Sequence, residues 1–331
     1  MDRSSALGWI AVGLSTLVAA LWAFWGAIEA FHEGWFEHAL GARLLGVVAY
    51  LCPMLFTIAL TILSIRLPRA GAVVFFVVGA WFTWWVVSSR RGATVLELAT
   101  WVPVTLPLVA VGVLYWFGSP RPAHVAYWTA VGVPLLVAVV CGSEPGWRVA
   151  HRTDDGIRAA RVVEGGGVAL VWAPEGPGWV MESRDACSWD EARQRCAHLS
   201  EDGTTIRDEL VRVWRLPTVA EAVGSMTRGG ANAGGEWRPA SRRATYRVRP
   251  DKESPLWDIY SPIIYWWTDT EAGPERAYRI VYNGMAIALP KTLRMGSQGF
   301  RAVRDVPLPS EHEPYPGESE PGNHADNGQS Q

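Results

Sequence analysis

The chain has 331 residues, a net charge of −2 at pH 7, and hydrophobic residues at 49% of its positions. The balanced charge excludes the strongly basic surface with which proteins hold nucleic acid, so nucleic acid is not an expected partner. Four cysteines are too few and too scattered for a disulfide framework.

Long apolar runs dominate the first part of the chain, and we predict a membrane domain over residues 1–147. A helix crosses the apolar core of a bilayer, about 30 Å thick, with about 20 residues. Five segments approach this length, the last three being short, so the number of spans is predicted as about five. The predicted spans are residues 7–28, 44–65, 70–87, 101–117 and 126–141.

The predicted spans contain no Asp, Glu, Lys, Arg or His. Ionisable groups are costly in lipid and persist mainly where they handle ions or substrates. Tryptophan and tyrosine lie near the span ends instead, where amphipathic rings sit at the level of the headgroups. This pattern favours a multi-pass anchor over a transporter and makes membrane lipid an expected partner.

Arginines give two opposing indications of which side the rest of the chain occupies. Those on the amino-terminal side are Arg3, Arg66, Arg69 and Arg121. Those on the other side are Arg43, Arg90 and Arg91, followed after the last span by Arg148, Arg152, Arg158 and Arg161. Cytoplasmic segments are enriched in positive residues, so seven arginines on the carboxyl-terminal side against four on the amino-terminal side favour a cytoplasmic carboxyl-terminal domain. If the last four arginines belong to a folded domain, only three remain on that side against four, and the opposite placement is favoured.

Residues 148–306 are predicted to form an α+β domain, followed by a disordered acidic tail over 307–331 that lacks Lys and Arg. Two capping boxes, Ser188 to Glu191 and Thr218 to Glu221, predict helices over about 189–199 and 219–228. Strands are predicted where β-branched and aromatic residues concentrate, at 168–173, 263–268, 277–282, 285–289 and 299–303.

Three local patterns give further expectations. Asn283-Gly284 predicts a two-residue hairpin turn with positive φ at both positions. Residues 165–167 are all glycine and predict a turn, because no lysine or helix follows to make a phosphate loop. Cys187 and Cys196 are nine residues apart across a segment predicted to be helical, whose rise separates them by about 13 Å, too far for a disulfide. Cys196 is therefore predicted as a buried free thiol.

Several short motifs follow one another in the order found in a known family. They are Trp189-Asp190-Glu191-Ala192 with Cys196, Trp214-Arg215-Leu216-Pro217-Thr218 with Glu221, Tyr265-Trp266-Trp267-Thr268-Asp269-Thr270, Ala277-Tyr278, Tyr282-Asn283-Gly284 and Gly299-Phe300-Arg301-Ala302-Val303-Arg304. Over residues 168–304 the chain thereby resembles the Lcl C-terminal domain family, which is similar to C-type-lectin-like folds and to the formylglycine-generating (sulfatase-modifying-factor) proteins. The resemblance implies a compact C-type-lectin-like domain that binds a ligand.

The resemblance does not extend to catalytic or metal-binding motifs. Formylglycine-generating enzymes use a late cysteine pair, and residues 197–331 contain no cysteine. The calcium-binding motifs of sugar-binding C-type lectins are missing, and no histidine has the spacing of a metal site. We therefore predict no catalytic residue, no metal and no cofactor. A divergent formylglycine-generating-type enzyme and a structural subunit of a membrane assembly stay open as alternatives.

The candidate binding surface is the stretch 229–262, which is predicted to be irregular. Long loops on a rigid scaffold concentrate binding residues, and arginine mixed with aromatic residues is typical of interface hot spots. The candidate ligand-binding residues are Trp237, Arg242, Arg243, Lys252, Trp257 and Asp258. The alternative is that Trp257 and Tyr260 pack beneath the loop while the charges are merely solvated. The predicted function is a membrane-anchored recognition module for a protein or carbohydrate ligand.

Overall fold

The computed structural model describes residues 2–89 and 102–306. The predicted acidic tail, Arg90, Arg91 and the first residue of the fourth predicted span lie outside the described residues. The chain forms a bundle of apolar helices and a separate β-rich region, which we call the head and which comprises residues 151–306.

Five helices correspond to the five predicted apolar segments. They are α1 (Arg3–His32), α2 (Leu40–Arg66), α3 (Pro68–Ser89), α4 (Val102–Phe117) and α5 (Ala123–Ala150). Among the described residues, α1, α2, α3 and α5 are long and apolar enough to cross a membrane. Helix α4 is apolar from Thr105 to Phe117 and falls short of that length.

Helix α1 lies at the centre of the bundle and packs against α2, α4 and α5. Its buried face is a stripe of mostly small residues at intervals of three or four, namely Gly8, Ala11, Ser15, Ala19, Ala23, Gly26 and Ala30. Small side chains let helix backbones approach closely, which drives helix association in lipid. A Cβ atom at Gly26 would lie only 2.5 Å from the carbonyl oxygen of Tyr50 in α2.

The head contains eleven described strands, grouped into two main sheets and two small hairpins. The first sheet has the order β1 (Arg161–Gly165), β2 (Val168–Trp172), β11 (Val303–Asp305). The second has the order β10 (Gln298–Gly299), β7 (Tyr265–Gly273), β8 (Arg276–Val281), β9 (Ala286–Pro290), in which β10 is parallel to β7. The hairpins pair β3 (Thr227–Arg228) with β4 (Ala231–Asn232) and β5 (Glu236–Arg238) with β6 (Arg243–Thr245).

Both predicted helices of the head are confirmed, and each begins with the expected capping box. They are α6 (Trp189–His198) and α7 (Val219–Ser225). In α7 the Thr218 hydroxyl accepts from the Glu221 amide at 3.2 Å, and the Glu221 carboxylate accepts from the Thr218 amide at 2.7 Å. Helix α7 ends three residues before its predicted end, because Thr227 already pairs with Asn232 in β3 and β4.

The prediction of an irregular stretch over 229–262 was wrong in its first half, which contains β4, β5 and β6. Strand β1 was also missed. The three strands within the stretch have two or three residues, too few for an alternating pattern to be visible in the sequence. The glycines at 165–167 form the predicted turn, which connects β1 to β2.

The predicted hairpin at Asn283-Gly284 connects β8 to β9, with a different turn from the expected one. Only Gly284 of the two has positive φ, at 86°. Its amide donates to the Val281 carbonyl at 2.8 Å, and the Val281 amide donates to Met285. This pattern is typical of a turn followed by a glycine bulge, which needs one left-handed residue instead of two.

Tryptophans form the centre of the head. Trp172, Trp257, Trp266 and Trp267 are all buried, and the rings of Trp257 and Trp266 stack with centroids 3.6 Å apart. Cys196 is buried and free, as predicted, and Cys187 is buried and free as well.

We expect Gly26→Ala to destabilise the helix bundle by about 1–3 kcal/mol, because the added methyl group has no room against the backbone of α2. Gly13→Ala is the matched control, since a Cβ atom there has no neighbour within 4 Å. Thermal unfolding of the detergent-solubilised chain measures both. Equal stability of the two variants would contradict the close packing of α1 on α2.

Candidate functional site

The head is joined to the bundle by an ionic cluster centred on Asp251, whose side chain is fully buried. Arg148, near the end of α5, lies 3.1 Å from the Asp251 carboxylate, and Arg152 lies 3.0 Å from it. Arg228 of β3 approaches the same carboxylate at 2.9 Å and also pairs with Glu253 at 2.9 Å. One buried carboxylate thus connects the last apolar helix to the head.

Aromatic side chains extend this junction to the end of α1 and to the segment that leads into α2. Nδ1 of His32, the last residue of α1, lies 2.9 Å from the Tyr282 hydroxyl, and Nε2 lies 3.4 Å from that of Tyr265. His38 stacks on Tyr260 with ring centroids 3.9 Å apart. The junction therefore fixes the head to three elements of the bundle.

Lys252, a predicted ligand-binding residue, lies inside this junction with 2% of its surface exposed. Its ammonium donates to the Ser261 carbonyl and forms no salt bridge with any described residue. Burial holds the pKa of Lys252 well below its usual value, with repulsion from Arg152 adding to the effect. Lys252 is therefore not part of an exposed binding surface.

Trp257 and Asp258 are also buried, which corrects their assignment to an exposed surface. Trp257 packs in the tryptophan core, as the alternative reading of this loop required. The Asp258 carboxylate accepts from Arg158 at 3.1 Å and from the Tyr260 amide at 2.8 Å. Both residues hold the loop to the head.

The other three predicted binding residues lie on the β5–β6 hairpin. Trp237 is half-buried against the ring of Tyr278, with centroids 5.3 Å apart, while Arg242 and Arg243 are exposed. Arg247 and Arg249 follow and are exposed as well. None of these four arginines forms a salt bridge within the described chain. We call Arg242, Arg243, Arg247 and Arg249 the hairpin surface.

A second group at the junction was missed in the sequence. Ligand atoms of Glu29, His32 and Glu33 lie within 4.8 Å of one another, a spacing that permits metal binding. Their positions i, i+3 and i+4 on one helix were the signal. Arg148 at the end of α5 and Arg152 and Arg279 of the head all act on His32, and their positive charge disfavours a cation there. We therefore interpret the two glutamates as counter-charges for the head.

The cysteines of the head are poorly suited to nucleophilic chemistry. Burial raises the pKa of the Cys187 thiol to about 11 and also raises that of Cys196. Both thiols are therefore protonated at neutral pH, whereas reaction requires the thiolate.

Comparisons of the chain with known protein families, with curated proteins and with solved structures found no match. The geometry of the junction and of the hairpin surface therefore carries the functional argument.

We expect Asp251→Asn to destabilise the chain by about 3 kcal/mol, because it leaves arginines at the junction without their buried carboxylate. Asp185→Asn removes one charge from an exposed carboxylate and should change stability by less than about 0.5 kcal/mol. Urea unfolding followed by tryptophan fluorescence compares the two. If Asp251→Asn proved as mild as its control, the junction would not hold the head in place.

Proposed function

We propose that this protein is a multi-pass membrane anchor whose head is a C-type-lectin-like recognition module for a negatively charged ligand. The observation that carries the proposal is the hairpin surface, four exposed arginines without an acidic partner among the described residues. They stand on a head that is fixed to the bundle by the Asp251 cluster.

The topology of the head supports the resemblance to the Lcl family. Its first sheet pairs strands from the beginning and the end of the domain, the two helices lie between them in the chain, and a meander of β7, β8 and β9 forms the second sheet. Aromatic residues of the shared motifs, including Trp189, Trp214, Trp267 and Phe300, are buried. Their burial makes them determinants of the fold and leaves recognition to the exposed loops.

The charge of the hairpin surface favours an acidic ligand over a neutral one. Exposed guanidinium groups attract carboxylate or sulfate groups, and arginine can bind them through two hydrogen bonds at once. Trp237 supplies an adjacent aromatic ring of the kind found in interface hot spots. A protein segment or a glycan carrying such groups fits this chemistry.

We expect the detergent-solubilised full chain to bind acidic members of an array of glycans and peptides more strongly than their neutral counterparts. Arg242→Gln with Arg243→Gln should weaken this binding about tenfold or more, because two charge-assisted contacts are lost. Arg207→Gln with Arg184→Gln is the matched control, since both are exposed arginines outside the hairpin surface. Binding that both double variants weaken equally, or that ignores ligand charge, would refute the assignment.

The pairing of the arginines after α5 bears on the side of the membrane that the head occupies. Arg148 and Arg152 pair with Asp251, Arg158 pairs with Asp154 and Asp258, and Arg161 pairs with Asp155. Each of the four thus pairs with a carboxylate of the head, Arg148 doing so from α5, and without these neutralised charges the remaining arginines number three against four. We propose that the amino terminus faces the cytoplasm and that the head lies on the opposite side, the reverse of the seven-against-four expectation.

We expect protease added to sealed right-side-out vesicles to remove an epitope tag fused after Gln331 and to spare a tag fused before Met1. Inverted vesicles should give the opposite result, because an odd number of crossings places the termini on different sides. Detergent-opened vesicles should lose both tags and serve as the control. Protection of the carboxyl-terminal tag in right-side-out vesicles would place the head in the cytoplasm.

A further inference from the structure

A cleft of about 460 Å³ opens at the end of the bundle that lies away from the head. It is bounded by the end of α2, the start of α3, the start of α1 and the end of α4. If the helices cross a bilayer as proposed, their ends lie at the level of the lipid headgroups. The cleft therefore faces phospholipid headgroups on the side of the amino terminus.

Two cations line the cleft, and no acidic residue of the described chain does. Arg66 is the last residue of α2, and Arg69 lies in the first turn of α3. Both are exposed and form no salt bridge within the described chain. Arg148 and Arg152 at the other end of the bundle differ in this respect, because Asp251 neutralises their charge. The charge of Arg66 and Arg69 is available to an outside anion.

The rim of the same cleft is apolar. Leu67, Trp116 and Phe117 line it with 53%, 44% and 66% of their surfaces exposed. Tryptophan prefers the zone between headgroups and acyl chains, where its ring contacts lipid and its N–H contacts water. Two arginines beside exposed apolar side chains suit an amphiphilic ligand, whose charged group and apolar part would both find contacts. A soluble anion would make no contact with the apolar rim.

We propose that this cleft binds the phosphate of an anionic phospholipid, with Arg66 and Arg69 on the headgroup and the apolar rim on the glycerol and upper acyl chains. The inference rests on the proposed membrane insertion. A zwitterionic lipid also carries phosphate, but its ammonium group adds a cation beside the two arginines. Each arginine near an anionic surface contributes about fivefold to binding, so the pair gives a preference on the order of 20-fold.

Native mass spectrometry of the detergent-solubilised full chain, offered equal amounts of phosphatidylglycerol and phosphatidylcholine, tests the site. We expect the wild type to retain phosphatidylglycerol about 20-fold more strongly, and Arg66→Gln with Arg69→Gln to lose most of this preference. The matched control is Arg3→Gln with Arg121→Gln, which removes the same charge from the same end, where neither arginine lines the cleft. This control should keep the preference.

Three results would overturn the proposal: equal retention of both lipids by the wild type, equal losses in both double variants, or displacement of the lipid by millimolar inorganic phosphate. The last would assign the arginines to a soluble anion. Alkaline extraction of cell membranes separates this failure from that of the proposed anchor. A wild-type chain that stays in the membrane without lipid selectivity refutes the cleft alone, whereas a chain released by extraction refutes the membrane anchor.

Discussion

The buried carboxylate of Asp251 is the interaction on which the arrangement of this molecule depends. Removing a carboxylate from water costs several kcal/mol, and that cost is offset only when cations and hydrogen-bond donors surround it. Here the cations come from α5, from the segment after it and from β3. Arg152 and Arg228 belong to the head itself, whereas Arg148 joins them only when the head sits on the end of α5. Docking of the head thereby completes the set of cations around the carboxylate.

This coupling divides the arginines of the chain into two populations. At the junction the arginines form salt bridges with Asp251 and Glu253, and their charge is not available to other molecules. On the hairpin surface and in the cleft beyond α2 they have no acidic partner in the described chain. A net charge near zero therefore conceals two separate basic regions, one on the head and one at the far end of the bundle. The net charge of the chain excludes a uniformly basic protein, but it does not show where the basic regions lie.

Local signals in the sequence predicted the elements that local interactions determine. The capping boxes at Ser188 and Thr218 fixed the starts of α6 and α7, because the cap and its partner lie three residues apart. The apolar runs likewise predicted the helices of the bundle. Lys252 and Asp258 were predicted to lie on a binding surface, because charged residues in a loop are usually in contact with solvent. Asp258 is buried against Arg158, which lies 100 residues earlier, and no local pattern reports such a contact.

The polar character of the junction gives the bundle a role in orienting the head. An apolar interface can slide, because apolar contacts are non-directional and one arrangement costs little more than another. At this junction a shift of the head would separate Asp251 from Arg148 of α5 and His32 from the hydroxyl of Tyr282. Breaking a buried pair costs about 3–5 kcal/mol, far more than forming it contributes. The junction thus selects one orientation, and the hairpin surface is presented at a fixed position relative to the ends of the helices.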